Sequence, residues 1–270
     1  MPKTRPRNTL NQQQTEILQI LYKFRFATVE LIAKYQELDS NNYTNRRLKI
    51  LVDKGYIGRK YDCSYKIHCK QASYYLLLEG IRILKKDPDV NHKALDGMRR
   101  DGSVGEVFIQ RCLDIFGLYT KFSQLYGEQL SFYSKSELMG NEYFLKPLPD
   151  AYITIEDQPE NPKQFLLDII ETSTQFAAVR RRLLRYITHY KSGDWGATNT
   201  DYPVILLICE NALLERRLQR LTTKLLSKED IDELSIQTTT MKAVMGSEGA
   251  EDLIWSSVDE PGKLTNLDNL

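Results

Sequence analysis

Three carboxylates stand where a fold could gather them: Glu106, Asp150 and Asp168. Asp150 follows Pro149 at the opening of one strand pattern, 151–155. Asp168 lies in the next, 165–170, across a Pro-rich hairpin tip at 157–162. Carboxylates at the ends of neighbouring strands, joined by Glu106 from an earlier helix, offer the hard oxygen ligands that hold a divalent cation, and magnesium is the natural one. The commoner fate of such residues is structural. An Asp after Pro caps a turn, and an Asp at a strand end meets solvent or pairs with an arginine. These residues alone leave both readings open.

A second set of side chains suits a different task. Asn42, Tyr43, Asn45, Arg46, Arg47 and Lys49 fall on or near the outer face of a helix over 41–54, whose apolar positions Leu48, Leu51 and Val52 face inward. Arginine can bond both acceptors of guanine, asparagine can bond adenine, and Lys or Tyr can hold phosphates, so the set is suited to reading DNA. A hairpin follows, with strands at 56–62 and 71–78 around a tip at 63–70. Its Arg59, Lys60, Lys66 and Lys70 can reach adjacent backbone phosphates.

For any single Lys or Arg a solvated surface is the usual role, and it is the order of elements that argues for more. Ile17, Leu18, Leu21 and Phe24 recur at helical spacing after a capping Asn11, and Thr28 caps a short second helix carrying Leu31 and Ile32. The polar stretch 36–42 turns the chain into the third helix, Gly55 ends it in the left-handed conformation, and the basic hairpin leads to a fourth helix at Glu79-Gly80-Ile81. Three helices, a glycine stop, a two-stranded wing and a returning helix predict a winged helix-turn-helix over 10–86, with double-stranded DNA as partner and no cofactor required for binding. A protein-binding winged helix is the competitor, since fold does not fix function.

Charge supports the DNA reading. The formal charge of +1 conceals a division: residues 1–86 hold 17 Lys and Arg against 7 Asp and Glu, a net +10, and the rest holds 20 against 29, a net −9. Only the first part suits a polyanion. The 270 residues point to two domains, and 41% hydrophobic with 27% charged residues is ordinary for a soluble protein. No run approaches the roughly 18 apolar residues of a membrane span. No apolar stretch follows Lys3, Arg5 and Arg7, so a cytoplasmic location without a membrane partner is expected. Of the cysteines, Cys63 and Cys69 flank His68 in a partial cluster, but with Cys112 and Cys209 they are too widely spaced for a zinc ribbon and read as buried small hydrophobes.

The remainder reads as a linker at 87–102, containing Pro88, His92 and the charged run 98–101, then a second domain over 103–245. A helix at 104–116 turns Val107, Phe108, Cys112 and Ile115 inward. Strands are expected at 129–133, 151–155, 165–170 and 204–208, helices at 174–191 and 212–226, and a further strand at 235–240. The fold class is therefore α+β, a winged helix followed by an α/β sandwich, with 246–270 a flexible tail.

These motifs resemble the replication-relaxation proteins of plasmids and other mobile elements over about residues 10–230. The resemblance lies in TNRRLKILVDKGYI at 44–57, YYLLLEGIRIL at 74–84, LPDAYITI at 148–155 and FLLDIIETST at 165–174, followed by a basic helix ending in Tyr186. The second half is similar to the PD-(D/E)xK nuclease fold. There the resemblance implies a site built from Asp150, the acid Asp168 on the next strand and a Lys two residues on. That position is Ile170. Residues i and i+2 share a strand face and Glu171 points to the other, so no strand residue places a base beside Asp168. Arg180, Arg181, Arg182 or Arg185 could supply charge, but guanidinium is a poor base. The resemblance implies a DNA-binding protein acting in replication, its control or transfer, with a degenerate nuclease-like domain. A homodimer and other replication or transfer proteins are open as partners. The alternatives are a magnesium-dependent DNA endonuclease with Glu106, Asp150 and Asp168 catalytic and Asp150 and Asp168 on the metal, and a transcriptional regulator.

Overall fold

Asn11 and Gln14 cap the first helix reciprocally, each side chain accepting from the other's backbone N–H. Helix α1 (Gln12–Phe24) buries Ile17, Leu18, Leu21 and Phe24. Thr28 caps α2 (Val29–Tyr35) and Ser40 caps α3 (Asn41–Asp53), each accepting from a first-turn N–H. Gly55, at φ 74°, ends α3 in the conformation only glycine adopts without strain. Strands β1 (Ile57–Lys60) and β2 (Ser73–Leu76) pair antiparallel, and Ala27 adds a bridge to Tyr74. Helix α4 (Leu78–Leu84) returns the chain, with Gly80 against the Tyr56 carbonyl. Three helices, a two-stranded hairpin and a returning helix thus enclose a core that holds Leu48, Leu51, Ile57, Leu76 and Ile81.

The computed structural model describes residues 10–62, 70–156 and 162–270, and the chain divides into two units, 1–116 and 117–270. The expected linker is structured. Asn91 caps α5 (His92–Met98), which buries Ala94, Leu95 and Met98. Asp101, from the charged run, is fully buried and takes a bidentate ion pair from Arg25. Burial pushes the Asp101 carboxyl up, and the Arg25 guanidinium partly offsets this. The next helix, α6 (Glu106–Tyr126), runs ten residues past its expected end through Gly117, and the division between units falls within it. Burial of Phe116, Leu118, Phe122 and Tyr126 outweighs the low helix propensity of that glycine. Ile109, Cys112 and Phe116 define the buried stripe, which leaves Val107 exposed rather than inward.

The second unit is a seven-stranded mixed sheet in the order β3 (Leu130–Ser134), β4 (Ala151–Ile155), β5 (Lys163–Ile170), β6 (Val204–Cys209), β7 (Ile236–Thr240), β8 (Trp255–Ser257) and β9 (Leu264–Thr265). Pairing is parallel between β5 and β6 and between β6 and β7, and antiparallel elsewhere. Central strands apolar on both faces need cover on both. On one face α7 (Phe176–Ser192) and α8 (Ala212–Glu229) pack Val179, Leu183, Ile187, Leu214 and Leu218 against Leu166, Ile205 and Leu207. A short α9 (Met241–Gly246) follows β7. The expected flexible tail instead supplies β8 and β9 and buries Trp255, Val258 and Leu267. Its strands are too short to show a period in sequence.

Two glycines should respond oppositely to Ala. A Cβ at Gly80 would lie 2.4 Å from the Tyr56 carbonyl oxygen, whereas one at Gly117 meets open space within a helix. Gly80→Ala should lower stability by about 1–3 kcal/mol, and Gly117→Ala should raise it by about 0.5–1 kcal/mol. Urea unfolding midpoints check both, and equal effects would contradict the packing described.

Candidate functional site

The β4–β5 register, Ala151 opposite Leu167, sets Asp150 beside Asp168 at the end of the pair. Both are buried, at 1% and 3% exposure. The Asp150 N–H donates to the Leu167 carbonyl and to Asp168 Oδ1 at 3.1 Å, and Ile169 N–H donates to Asp150 Oδ2 at 3.0 Å. Two carboxylates this close require cations, and two arrive from neighbouring elements. Lys135, one residue beyond β3, donates to Asp150 Oδ1 at 3.1 Å. Arg182, from α7, forks onto both oxygens of Asp168 and donates its remaining nitrogen to the Pro147 carbonyl.

Tyr186, one turn further along α7, donates to Asp168 Oδ2 at 2.9 Å. Burial and the adjacent carboxylate both hold its phenol well above the usual tyrosine range, so it stays a donor. Burial works against the Arg182 charge, but Asp168, Tyr186 and Asp150 together outweigh it and the guanidinium is held above its ordinary value.

All four carboxylate oxygens therefore face protein donors, and the formal charge of the cluster is balanced. A divalent cation would have to displace Lys135 and Arg182, so the residues as arranged do not fit a metal. Glu106, the third expected acid, begins α6 in the first unit, exposed, with Lys70 Nζ 3.9 Å away. Among the described residues no three His, Cys, Asp or Glu side chains could hold a metal ion. Ile170, where the nuclease pattern has Lys, is buried in the core under α7. The charge beside Asp168 comes from Arg182, one of the four arginines that follow it in sequence on the basic helix. Sequence reasoning misses Lys135 and Tyr186. Ser134 pairs with Ala151, which brings Lys135, just past β3, to Asp150, a register that no spacing in the sequence shows.

On the first unit, Asn42, Tyr43, Asn45, Arg46 and Lys49 are exposed on α3, and Tyr43 is 64% exposed although large and aromatic. Thr44, Leu48 and Leu51 form the inward stripe, with Val52 half-buried. Arg47 departs from expectation: it is half-buried and its guanidinium points to Gln36 Oε1 at 3.4 Å, in the turn before α3. On the wing, Lys60 is drawn inward to the Val104 carbonyl at 2.6 Å, and Lys70 lies by Glu106. Arg59 is exposed and stacks on the exposed Tyr61 ring at 4.8 Å. Lys66, with Cys63, His68 and Cys69, lies outside the described residues. Cys112 and Cys209 are buried, and burial pushes the Cys209 thiol up to about 12.

No family model matches the chain, and no curated protein sequence does. Among solved structures, a single-site mutant of Lactococcus lactis ZitR aligns with 41% of this chain and 73% of its own, at 17% identity and a TM-score of 0.26. A score that low has no bearing on function. Among the described residues no helix is long and apolar enough to cross a membrane.

Removing one member of a buried ion pair leaves the other uncompensated. Arg182→Met should cost about 3–5 kcal/mol, whereas Arg182→Met combined with Asp168→Asn should cost less than the single change. Urea unfolding of the three proteins checks this. A double variant less stable than Arg182→Met would contradict the pairing as the source of the cost.

Proposed function

We propose that this chain is a double-stranded-DNA-binding protein that reads base edges with α3 and holds the backbone with the wing. The resemblance of its motifs to replication-relaxation proteins suggests the setting: replication of a plasmid or other mobile element, its control, or its transfer. In this reading the Asp150–Asp168 pair fixes α7 to the sheet and takes no part in phosphodiester cleavage.

The observation that carries the proposal is the exposed face of α3. Asn42, Tyr43, Asn45, Arg46 and Lys49 stand together there, in a stretch of 86 residues with a net charge of +10. A solvated helix face ordinarily mixes both signs of charge. Here Asp53, at the last turn and 3.7 Å from Lys49 Nζ, is the acid on the helix. Asn and Arg provide donor and acceptor pairs that base edges match, and neither has an apolar contact to make at those positions. The wing has a smaller part than its sequence suggests, because Lys60 and Lys70 are engaged within the unit.

Enrichment from a pool of random duplexes tests the proposal. Wild type should select a defined motif, and it should retard that duplex equally in magnesium and in EDTA without cutting it. Asn45→Ala with Arg46→Ala should weaken binding to the motif by about 30- to 25,000-fold, at roughly 1–3 kcal/mol for each base-reading side chain removed. Thermal stability should be unchanged, since both side chains are exposed. Equal retardation by the double variant would contradict the assignment of α3, and magnesium-dependent nicking that disappears in Asp168→Asn would contradict the structural role of the acid pair.

A further inference from the structure

Residues 117–270 hold 16 Lys and Arg against 23 Asp and Glu, yet ten of those cations lie on α7 and α8. The two helices contain two acids, Glu215 and Glu229, so the rest of the unit has 6 cations against 21 acids. This is segregation, not the interspersed signs of an ordinary solvated surface.

The geometry concentrates it further. Val179, Leu183, Tyr186 and Ile187 turn α7 inward, leaving Arg180, Arg181 and Arg185 exposed; Arg182 is the one arginine of the run taken by Asp168. On α8, Arg216, Arg220, Lys224 and Lys228 recur every fourth residue on the exposed side, a stripe about 18 Å long. Arg217 lies over the Phe176 ring at 4.8 Å and ties the two helices together. Neither acid neutralises the stripe. Glu215 accepts from Thr238 on the sheet at 3.0 Å, and Glu229, at the far end, pairs with Lys191 at 2.8 Å. Among the described residues no ion pair engages Arg180, Arg181, Arg185, Arg220 or Lys224. Like charges four residues apart repel and weaken a helix, a cost that a bound polyanion would offset.

We infer that the exposed α7–α8 face is a second DNA-binding surface, one that grips the phosphate backbone of a duplex without reading sequence. Its polyanionic partner follows from its own charge; that the polyanion is DNA rests on the reading of the first unit. Arginine dominates the face, and its planar fork matches phosphate oxygens. An anionic membrane is disfavoured because, among the described residues, Leu213 at the start of α8 is the large apolar side chain these helices expose, and membrane-surface helices insert an apolar face.

The test uses the full chain and a labelled duplex of arbitrary sequence, titrated across a salt series. Changing Arg181, Arg185, Arg220 and Lys224 together to Gln keeps helix propensity and removes four charges. Affinity at about 50 mM salt should fall at least tenfold, and the slope of log K against log salt should flatten by about 0.9 for each phosphate no longer neutralised. A second variant with Lys at the three arginine positions should keep most of the slope. Circular dichroism melts confirm that both variants fold. The Gln variant should lose affinity equally for all sequences and keep any motif preference, whereas Asn45→Ala with Arg46→Ala should lose the preference. An effect of the Gln variant alone would sink the α3 reading and leave this surface standing. An unchanged slope and affinity in the Gln variant would overturn the inference. So would wild type binding phosphatidylserine vesicles but not duplex.

Discussion

Two carboxylates buried side by side cannot both stay ionised without cations, and in the second unit this requirement governs what lies around them. Asp168 takes Arg182, which fixes the first turns of α7 over β5; Asp150 takes Lys135 and so ties the end of β3 to the sheet. Once Arg182 points inward, helical periodicity turns Arg180 and Arg181 outward, Arg185 stays exposed beside them, and the apolar residues between them complete the core under the helix. The same four-part cluster thus explains a buried polar site, the seat of a helix and the charge of an outer face. Ile170, on the same strand as Asp168, is core, and the charge beside Asp168 comes from the next helix.

A comparable device organises the first unit. Asp101 is fully buried and held by Arg25, whose guanidinium also lies over the Phe108 ring at 4.6 Å. Segments that sequence composition marks as polar are therefore anchored by charge pairing and not by apolar burial alone. The buried acids Asp101, Asp150 and Asp168 are each paired with a cation, which sets them apart from the exposed cations on α3 and on α7 and α8.

Much of this is legible in the sequence where a period is long enough to read. Helices α1, α7 and α8 and strands β4, β5 and β6 follow from apolar spacing, and Asn11, Thr28 and Gly55 act as the caps and stop their types suggest. The adjacency of Asp150 and Asp168 is legible because a hairpin fixes its own register. What escapes depends on interactions between residues distant in sequence. Arg47 reaches Gln36 and Lys60 reaches Val104, and spacing along α3 or β1 cannot signal either. The segments 87–102 and 246–270 look loose because their elements are short, yet α5, β8 and β9 are held by burial of Leu95, Met98, Trp255 and Leu267. Charge alone groups Glu106 with the strand acids, and it stands beside Lys70.

The surface that matters most is the face of α3, and arginine modification of the full chain, read by mass spectrometry with and without saturating duplex DNA, reports on it directly. Arg46 and Arg59 should become protected while Arg99, exposed on the first unit away from α3 in sequence and paired with Asp96, goes on reacting. Arg46 reacting at the same rate in the presence and absence of DNA would contradict DNA reading by this helix.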